Sequence, residues 1–243
     1  MIHKSVFNWS GGKDSSLALF HILRDPTYSI ESLLSTVNGG NSRLAMHGVR
    51  QELIEGQARS LKIPLFALQL PEMPSMDEYN SAMSETMNGY KAEGFTHSIF
   101  GDIFLEDLKD YRVNELNKIG FNAVFPLWKR DTQELVSEFI DLGFKAITVC
   151  VKDQILGEEF VGRIIDKEFV KDLPDGVDPC GEYGEFHSFV FDGPIFETPV
   201  SFEIGEKVLK RYKNPDPDNN DCRLSNESDP NKMGFWFCDL IPK

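Results

Sequence analysis

Short apolar runs alternate with longer amphipathic runs along the first half of this 243-residue chain. Residues 49–61 are of the amphipathic type, because Leu53, Ile54, Ala58 and Leu61 recur at the spacing of one helix face. The predicted strands are residues 5–9, 31–37, 64–70, 97–101 and 122–126, and the predicted helices are residues 14–23, 49–61, 76–93 and 105–119. Strands and helices that alternate at this spacing form βαβ units. The sequence therefore predicts an α/β fold, a doubly wound and mainly parallel sheet with helices on both faces.

The pattern changes near residue 130. One more helix (131–142), begun by a capping box of Asp131 and Glu134, and one more strand (146–151) are predicted there. Beyond them the chain is rich in Gly, Pro and acidic residues, with strand-like runs at 187–191 and 235–240. We therefore predict two domains, residues 1–130 and a smaller α+β domain of residues 131–243. Residues 214–231 are polar and rich in Pro, Asp and Asn, which predicts a mobile surface loop.

The composition excludes several classes of protein. Acidic residues outnumber basic residues by 39 to 25, for a net charge of −14, which disfavours a nucleic-acid binder because such proteins neutralise phosphates with Lys and Arg. No apolar run approaches the ~20 residues that span a bilayer, so we expect no membrane segment. The four cysteines contain no CxxC pair, and this favours a cytoplasmic location over a disulfide scaffold or a zinc site.

The residues between the first strand and the first helix are those that a polyphosphate site needs. Two adjacent glycines let the backbone turn sharply and approach a ligand. The helix that follows offers unpaired N–H groups and the positive end of its dipole, a lysine adds a charge, and two serines can donate hydrogen bonds. The alternative is a plain tight turn, and the spacing matches neither a Walker A loop nor a GxGxxG loop. The residues assigned to the phosphates are Ser10, Gly11, Gly12, Lys13, Asp14 and Ser15.

Residues 10–15, Ser-Gly-Gly-Lys-Asp-Ser, resemble the SGGxDS signature of the PP-loop ATP pyrophosphatases. The resemblance implies a Rossmann-like fold of the adenine nucleotide alpha hydrolase type, with ATP and Mg²⁺ as cofactors. It implies that a substrate oxygen attacks the α phosphate to give an adenylate, and that AMP and pyrophosphate are released. In this reaction Lys13 would be catalytic, and Asp14 together with Asp102 would hold the metal. We expect Lys13 to face solvent when ATP is absent.

Further motifs resemble one branch of that group, the diphthine–ammonia ligases, also called diphthamide synthases. The most specific is Gly-Glu-Tyr-Gly-Glu-Phe-His at residues 181–187, which is similar to the family segment GExGEFHT, with Ser188 where Thr is usual. The similarity runs from residue 5 to about residue 191 and returns at residues 235–240. The other matching motifs are Met46-His47-Gly48, Gly101-Asp102-Ile103, residues 112–115 and Pro126-Leu127-Trp128.

Two acids and an imidazole lie close together in this segment. Glu182, Glu185 and His187 could hold a cationic group or ammonium, or take a proton from an attacking amine. The alternatives are an acidic surface turn and, less well supported, a metal site, which needs three or more converging ligands. The resemblance favours acceptor binding, with Glu185 and His187 catalytic. The substrate-binding residues would be His47, Gly181, Glu182, Gly184 and Glu185.

Other candidate residues follow predicted strands. Asp102 lies at the carboxyl edge of the sheet, where open α/β folds bind ligands, and would coordinate Mg²⁺, orient the adenylate or merely cap the next turn. By analogy with the family, Gly101 belongs to the nucleotide site. Backbone groups of Thr36 and Val37 would contact adenine, and the loop that contains His47 would border the nucleotide.

The first hypothesis for function is an ATP-dependent amide ligase. Domain 1–130 would adenylate a carboxylate, and domain 131–243 would bind the acceptor while free ammonium supplies the nitrogen. The acceptor would be a diphthine-bearing elongation factor or, in a bacterial host, another carboxylate, and a homodimer is the candidate assembly. Two alternatives stay open: a PP-loop enzyme of sulfur transfer or tRNA modification, and an ATP-binding regulatory protein without turnover.

Overall fold

The computed structural model describes residues 2–40, 42–44, 48–213 and 232–243. The predicted loop at 214–231 and the predicted site residue His47 lie outside these ranges. The described strands are β1 His3–Asn8, β2 Tyr28–Asn38, β3 Arg43–Leu44, β4 Leu65–Leu70, β5 His97–Ile99, β6 Asn122–Val124, β7 Lys145–Lys152, β8 Phe186–Asp192, β9 Phe202–Lys213 and β10 Lys232–Pro242. The helices are α1 Lys13–Ile22, α2 Gln51–Leu61, α3 Met76–Ala92, α4 Glu106–Lys118, α5 Thr132–Asp141 and α6 Lys167–Asp172.

Sheet A contains β4, β2, β1, β5 and β6 in that order, and all of these strands are parallel. Strand β2 pairs with one edge of β1, and β4 pairs with the far edge of β2. The chain then crosses back, and β5 pairs with the other edge of β1. This reversal is a topological switch point, where open α/β sheets bind ligands at the carboxyl ends of their strands. The short strand β3 runs antiparallel to the end of β2. The predicted α/β fold with a mainly parallel sheet is confirmed.

Sheet B is antiparallel, with the order β8, β7, β10, β9. Val149 and Phe189 of this sheet belong to the same hydrophobic cluster as Phe7 of β1 and Leu17 of α1. The two sheets therefore share a core that positions β8 beside the β1–α1 turn. The predicted domain boundary at residue 130 stays a prediction.

Two local expectations differ from the structure. Asp131 does cap α5, since its carboxylate accepts the Glu134 amide hydrogen at 2.9 Å, but the full reciprocal capping box is found at α3, between Ser75 and Glu78. Strand β9 was not predicted, because most of its residues are at least partly exposed and its sequence lacks a regular apolar alternation. No helix in the described ranges is both long enough and apolar enough to cross a membrane.

Candidate active site

A cleft with a volume of about 2510 Å³ opens at the carboxyl edge of sheet A. The β1–α1 turn and the β5–α4 connection both line it, because they leave the switch point on opposite sides of the sheet. Another wall is formed by residues 180–184 and 186–188 and by one face of sheet B. The predicted phosphate loop and the predicted acceptor segment therefore meet in one cleft.

The β1–α1 turn requires glycine at Gly11. Its φ of +73° lies in the left-handed region, and a Cβ there would be 2.6 Å from Oε1 of Gln57. Gln57 is fully buried on α2. Its side chain accepts a hydrogen bond from the Trp9 indole at 2.8 Å and donates one to the Gly11 carbonyl at 2.9 Å. A buried glutamine from another helix thus fixes the shape of the turn.

The first turn of α1 has the donors of an anion site. The helix begins at Lys13, and its N-cap residue, Gly12, has no side chain to accept the amides of the first turn. The backbone hydrogen bonds of the described residues include no acceptor for the amides of Asp14 and Ser15, as expected for a first helical turn. The hydroxyls of Ser10 and Ser15 lie 3.0 Å apart beside them. Free amides, hydroxyls and the positive helix end together favour a phosphate.

Lys13 is buried, with only 2% of its surface exposed, so the expectation that it faces solvent is wrong. It forms an ion pair with Asp14. Burial by itself lowers the pKa of Lys13, but the acidic groups of Asp14, Cys180 and Glu182 outweigh that effect and hold the pKa above its usual range. The cleft therefore contains a charged ammonium group next to the helix end before any ligand arrives.

Strand β8 connects the phosphate loop to the acceptor segment directly. The hydroxyl of Ser188 accepts a hydrogen bond from the Lys13 amide at 3.1 Å, across 175 residues of sequence. The Val190 amide donates to the Gly11 carbonyl at 2.9 Å. A Cβ at Gly12 would lie 3.1 Å from the Ser188 carbonyl oxygen. The loop uses only the hydroxyl at position 188, which Ser and Thr share, so this departure from the family pattern leaves the contact intact.

The side chain of Glu185 holds the turn of the acceptor segment together. Glu185 is buried, and its two oxygens accept hydrogen bonds from the amides of Asp178 at 3.1 Å and Tyr183 at 2.9 Å. The carboxylate of Asp178 in turn accepts from the amides of Cys180 at 2.8 Å and Glu182 at 3.3 Å. These contacts are those of a positioning group.

The two glycines of the segment are required for different reasons. Gly181 has a φ of +73°, and a Cβ there would lie 2.8 Å from the Phe186 carbonyl oxygen. Gly184 has a φ of +78° but open space around it. The segment thus needs its first glycine for both conformation and close approach, and its second for conformation alone.

Glu182 and His187 line the cleft near the loop. Burial and the charge of Asp14 raise the pKa of Glu182 well above that of an ordinary glutamate. Burial lowers the pKa of His187, although Asp14 opposes this effect. An imidazole that is neutral at pH 7 can accept a proton, and this is the property that a base needs.

Asp102 does not cap the following helix, because α4 begins after Leu105. Its carboxylate accepts a hydrogen bond from the Arg112 guanidinium at 2.5 Å. Burial raises the pKa of Asp102, while Arg112 lowers it and Asp14 raises it further. The preceding residue, Gly101, packs against the loop, since a Cβ there would be 2.9 Å from the Ser15 nitrogen.

The carboxylates that line the cleft fit a magnesium ion bound together with a polyphosphate. Among the described residues, no group of three or more His, Cys, Asp or Glu side chains could hold a metal. Asp14 and Asp102 both line the cleft and interact electrostatically. Mg²⁺ is usually bound by one or two carboxylates plus phosphate oxygens and waters, which is the donor set that this cleft and ATP would provide.

The predicted adenine contacts lie on β2. Thr36 lines the cleft, whereas the side chain of Val37 is buried in the main core. Val37 is also paired on both sides of its strand, with Gln69 of β4 and Leu44 of β3. The adenine contacts of both residues stay predictions.

Comparison with family models identifies the chain. The model described as "Diphthamide synthase N-terminal domain" matches residues 3–120, and "Diphthamide synthase C-terminal domain" matches residues 131–213. The chain belongs to the diphthamide synthase family. This membership confirms the predicted family and the prediction of an enzyme.

Curated relatives agree with this assignment. The chain is 24% identical to the diphthine--ammonia ligase of Danio rerio, over 82% of this chain and 86% of the relative. It is 27% identical to that of Bos taurus, over 51% of this chain and 55% of the relative. It is 25% identical to that of Saccharomyces cerevisiae, over 77% of this chain but only 33% of that longer relative.

Two residues that shape this diphthamide synthase site were not predicted from the sequence. Gln57 occupies a core position of α2 among apolar residues, and a polar residue on an apolar helix face is a signal for a buried contact. Asp178 organises the acceptor segment but precedes an ordinary Pro-Cys-Gly turn sequence, which gives no such signal. Arg112, predicted only as part of a motif, is the partner of Asp102.

Proposed function

We propose that this chain is an ATP-dependent amide ligase that adenylates a carboxylate and then amidates it with ammonia, releasing AMP and pyrophosphate. The observation that supports this most strongly is the hydrogen bond from the Lys13 amide to the Ser188 hydroxyl. It joins the ATP-type loop to the acceptor-type segment, so activation and amidation would occur in one cleft. The relatives' name, diphthine--ammonia ligase, supports diphthine as the acceptor. We infer from the family resemblance that this diphthine is carried on an elongation factor.

The loop would bind the β and γ phosphates of ATP. The amides of Asp14 and Ser15 and the hydroxyl of Ser10 are the donors, and Lys13 adds a charge that burial keeps close to them. These groups would stabilise the negative charge that develops on pyrophosphate as it leaves. Fixed donors in a partly dry cleft do so without reorganising during the reaction.

Mg²⁺ would be held by Asp14 and Asp102 together with phosphate oxygens, where it would neutralise phosphate charge. Asp14 would then have to exchange part of its contact with Lys13 for the ion. The Arg112 guanidinium, which donates to the Asp102 carboxylate, would hold that carboxylate in place and favour its charged form.

Glu182 and His187 would handle the nitrogen donor. A carboxylate beside ammonium favours the charged form, so a second group must remove a proton before attack. Glu182 would bind ammonium, whose positive charge would offset the burial and the Asp14 charge that raise the pKa of Glu182 and so favour its carboxylate form. His187, whose pKa is lowered by burial, would accept that proton. We assign Glu185 to positioning, since both of its oxygens already bind backbone amides. A cytoplasmic location and a homodimer remain further parts of the proposal.

The variants His187→Ala and Glu182→Gln test this division of labour. ATP affinity, measured by calorimetry, should stay within about threefold, whereas amide formation should fall on the order of 10²-fold for His187→Ala. Acceptor-dependent exchange of labelled pyrophosphate into ATP should persist, because adenylation precedes ammonia attack. Glu134→Gln, on the exposed side of α5, is the control. Undiminished amide formation by both variants would contradict the assignment.

A further inference from the structure

One face of sheet B continues the cleft away from the phosphate loop. Along β7, the side chains of Val149 and Val151 belong to the main core. Cys150 and Lys152, which alternate with them, line the cleft instead. Successive side chains of a strand point to opposite faces, so every second residue of β7 belongs to the cleft wall.

The strand register extends this face across β10 and β9. Residues that are directly paired on neighbouring strands lie side by side, and three rows result. They are His187, Cys150, Phe237 and Val208 in the first row, Lys152, Phe235 and Lys210 in the second, and Met233 and Tyr212 in the third. All of these residues line the cleft. We call this surface the docking face.

The docking face is large enough for a polypeptide. Rows along a strand lie about 6.8 Å apart and neighbouring strands about 4.8 Å apart, so the face extends roughly 14 Å in each direction. It begins at His187, beside the proposed site of amide formation. A segment of several residues can therefore lie on it with one end in the reaction site.

Its chemistry is aromatic and cationic in a chain of net charge −14. Lys152 and Lys210 flank Phe235, and neither forms an ion pair among the described residues. The Lys210 ammonium lies 5.3 Å from the centre of the Phe237 ring. Glu206 also lines this part of the cleft. Two lysines that have no carboxylate partner among the described residues, on an aromatic surface, fit carboxylates interspersed with apolar side chains.

We propose that the docking face binds an acidic segment of the acceptor protein next to the residue that is amidated. This inference rests on the proposed function. Two observations favour a protein acceptor: the face is continuous with the reaction site, and its two lysines form no ion pair in the part of the chain that the structure describes. Single-stranded RNA, which also uses aromatic and cationic surfaces, is the alternative that the test separates.

The test compares the double variant Lys152→Glu/Lys210→Glu with Lys207→Glu. Lys207 is on the same strand as Lys210, does not line the cleft, and donates to the Glu158 carbonyl at 3.2 Å. With the diphthine-bearing elongation factor as substrate, the double variant should raise KM at least about tenfold and keep kcat and ATP affinity within about threefold. Lys207→Glu should change none of these values. The double Lys→Gln variant, which adds no repulsion, should raise KM by a smaller factor.

The outcomes are distinguishable. If the wild-type protein amidates the elongation factor and both double variants retain its KM, the docking face is wrong and the proposed function stands. If the wild-type protein makes no AMP with that acceptor, the proposed function fails and this inference fails with it. If the wild-type protein retains tRNA at physiological salt and the double variants release it, the face is an RNA surface and the protein acceptor is overturned.

Discussion

Replacing Ser188 by alanine removes the acceptor of the Lys13 amide. The serine is 6% exposed and the hydrogen bond is 3.1 Å long, so no water would easily take its place. A buried N–H left without a partner costs about 1–3 kcal/mol. We therefore expect the free energy of unfolding of Ser188→Ala to fall by about that amount, and Tm to fall by roughly 2–4 °C for each kcal/mol.

The same change should weaken ATP binding. The Lys13 amide is in the first turn of α1. Its hydrogen bond to the Ser188 hydroxyl sets the direction in which the neighbouring amides of Asp14 and Ser15 point. If about half of the 1–3 kcal/mol that is lost acts on the bound state, ATP affinity falls about twofold to thirteenfold. Calorimetric titration with a nonhydrolysable ATP analogue and thermal unfolding measure the two effects.

Two controls separate this hydrogen bond from general damage. Ser188→Thr keeps the hydroxyl and should retain the Tm and the ATP affinity to within small differences. Ser137→Ala removes an exposed serine whose hydroxyl donates to the Gln133 carbonyl on α5, and it should change neither value. Wild-type Tm and wild-type ATP affinity in Ser188→Ala would refute the claim that β8 supports the phosphate loop.

Three further predictions concern residues that hold the walls of the cleft in place. Gly101→Ala places a Cβ 2.9 Å from the Ser15 nitrogen and should lower ATP affinity at least about tenfold. The control Gly89→Ala, at a position with open space, should leave ATP affinity unchanged, and equal affinities of the two variants in calorimetry would contradict the prediction. Glu185→Gln leaves one backbone amide without its acceptor and should lower the free energy of unfolding by about 1–3 kcal/mol in urea; an unchanged midpoint would exclude the positioning role. Burial raises the pKa of Asp239, but hydrogen bonds from Arg50 and Arg43 lower it more strongly, to about 2. The stability that the charged Asp239 contributes should therefore be fully present above about pH 4 and lost as the pH falls toward 2. The amount by which Asp239→Asn lowers Tm should shrink over that range, and an amount that stays constant would argue against this role.

The α/β fold with a mainly parallel sheet A could be anticipated because it follows from a periodic pattern. Apolar residues on α2 recur at helical spacing, and the alternation with strands leaves few topologies for a parallel sheet. The glycine pair at positions 11 and 12 predicted a sharp turn, and Gly11 has a left-handed φ. The tight contacts found there are with Gln57 and Ser188 of the protein itself, and the predicted approach to a ligand stays a prediction.

The roles of the two glutamates could not be anticipated in the same way. Glu182 and Glu185 are equivalent acids in the sequence, and only the turn decides that Glu185 binds backbone amides while Glu182 lines the cleft. The burial of Lys13 likewise depends on β8, a strand that is remote in sequence. Contacts between distant segments set these properties, and no local pattern encodes them.

The proposed function requires that ATP be cleaved between its α and β phosphates to activate a carboxylate. Thin-layer chromatography of α-labelled ATP after turnover with the diphthine-bearing elongation factor and ammonium measures this cleavage. We expect labelled AMP, formed only when the acceptor is present and in step with the amide. Labelled ADP as the only product would contradict it.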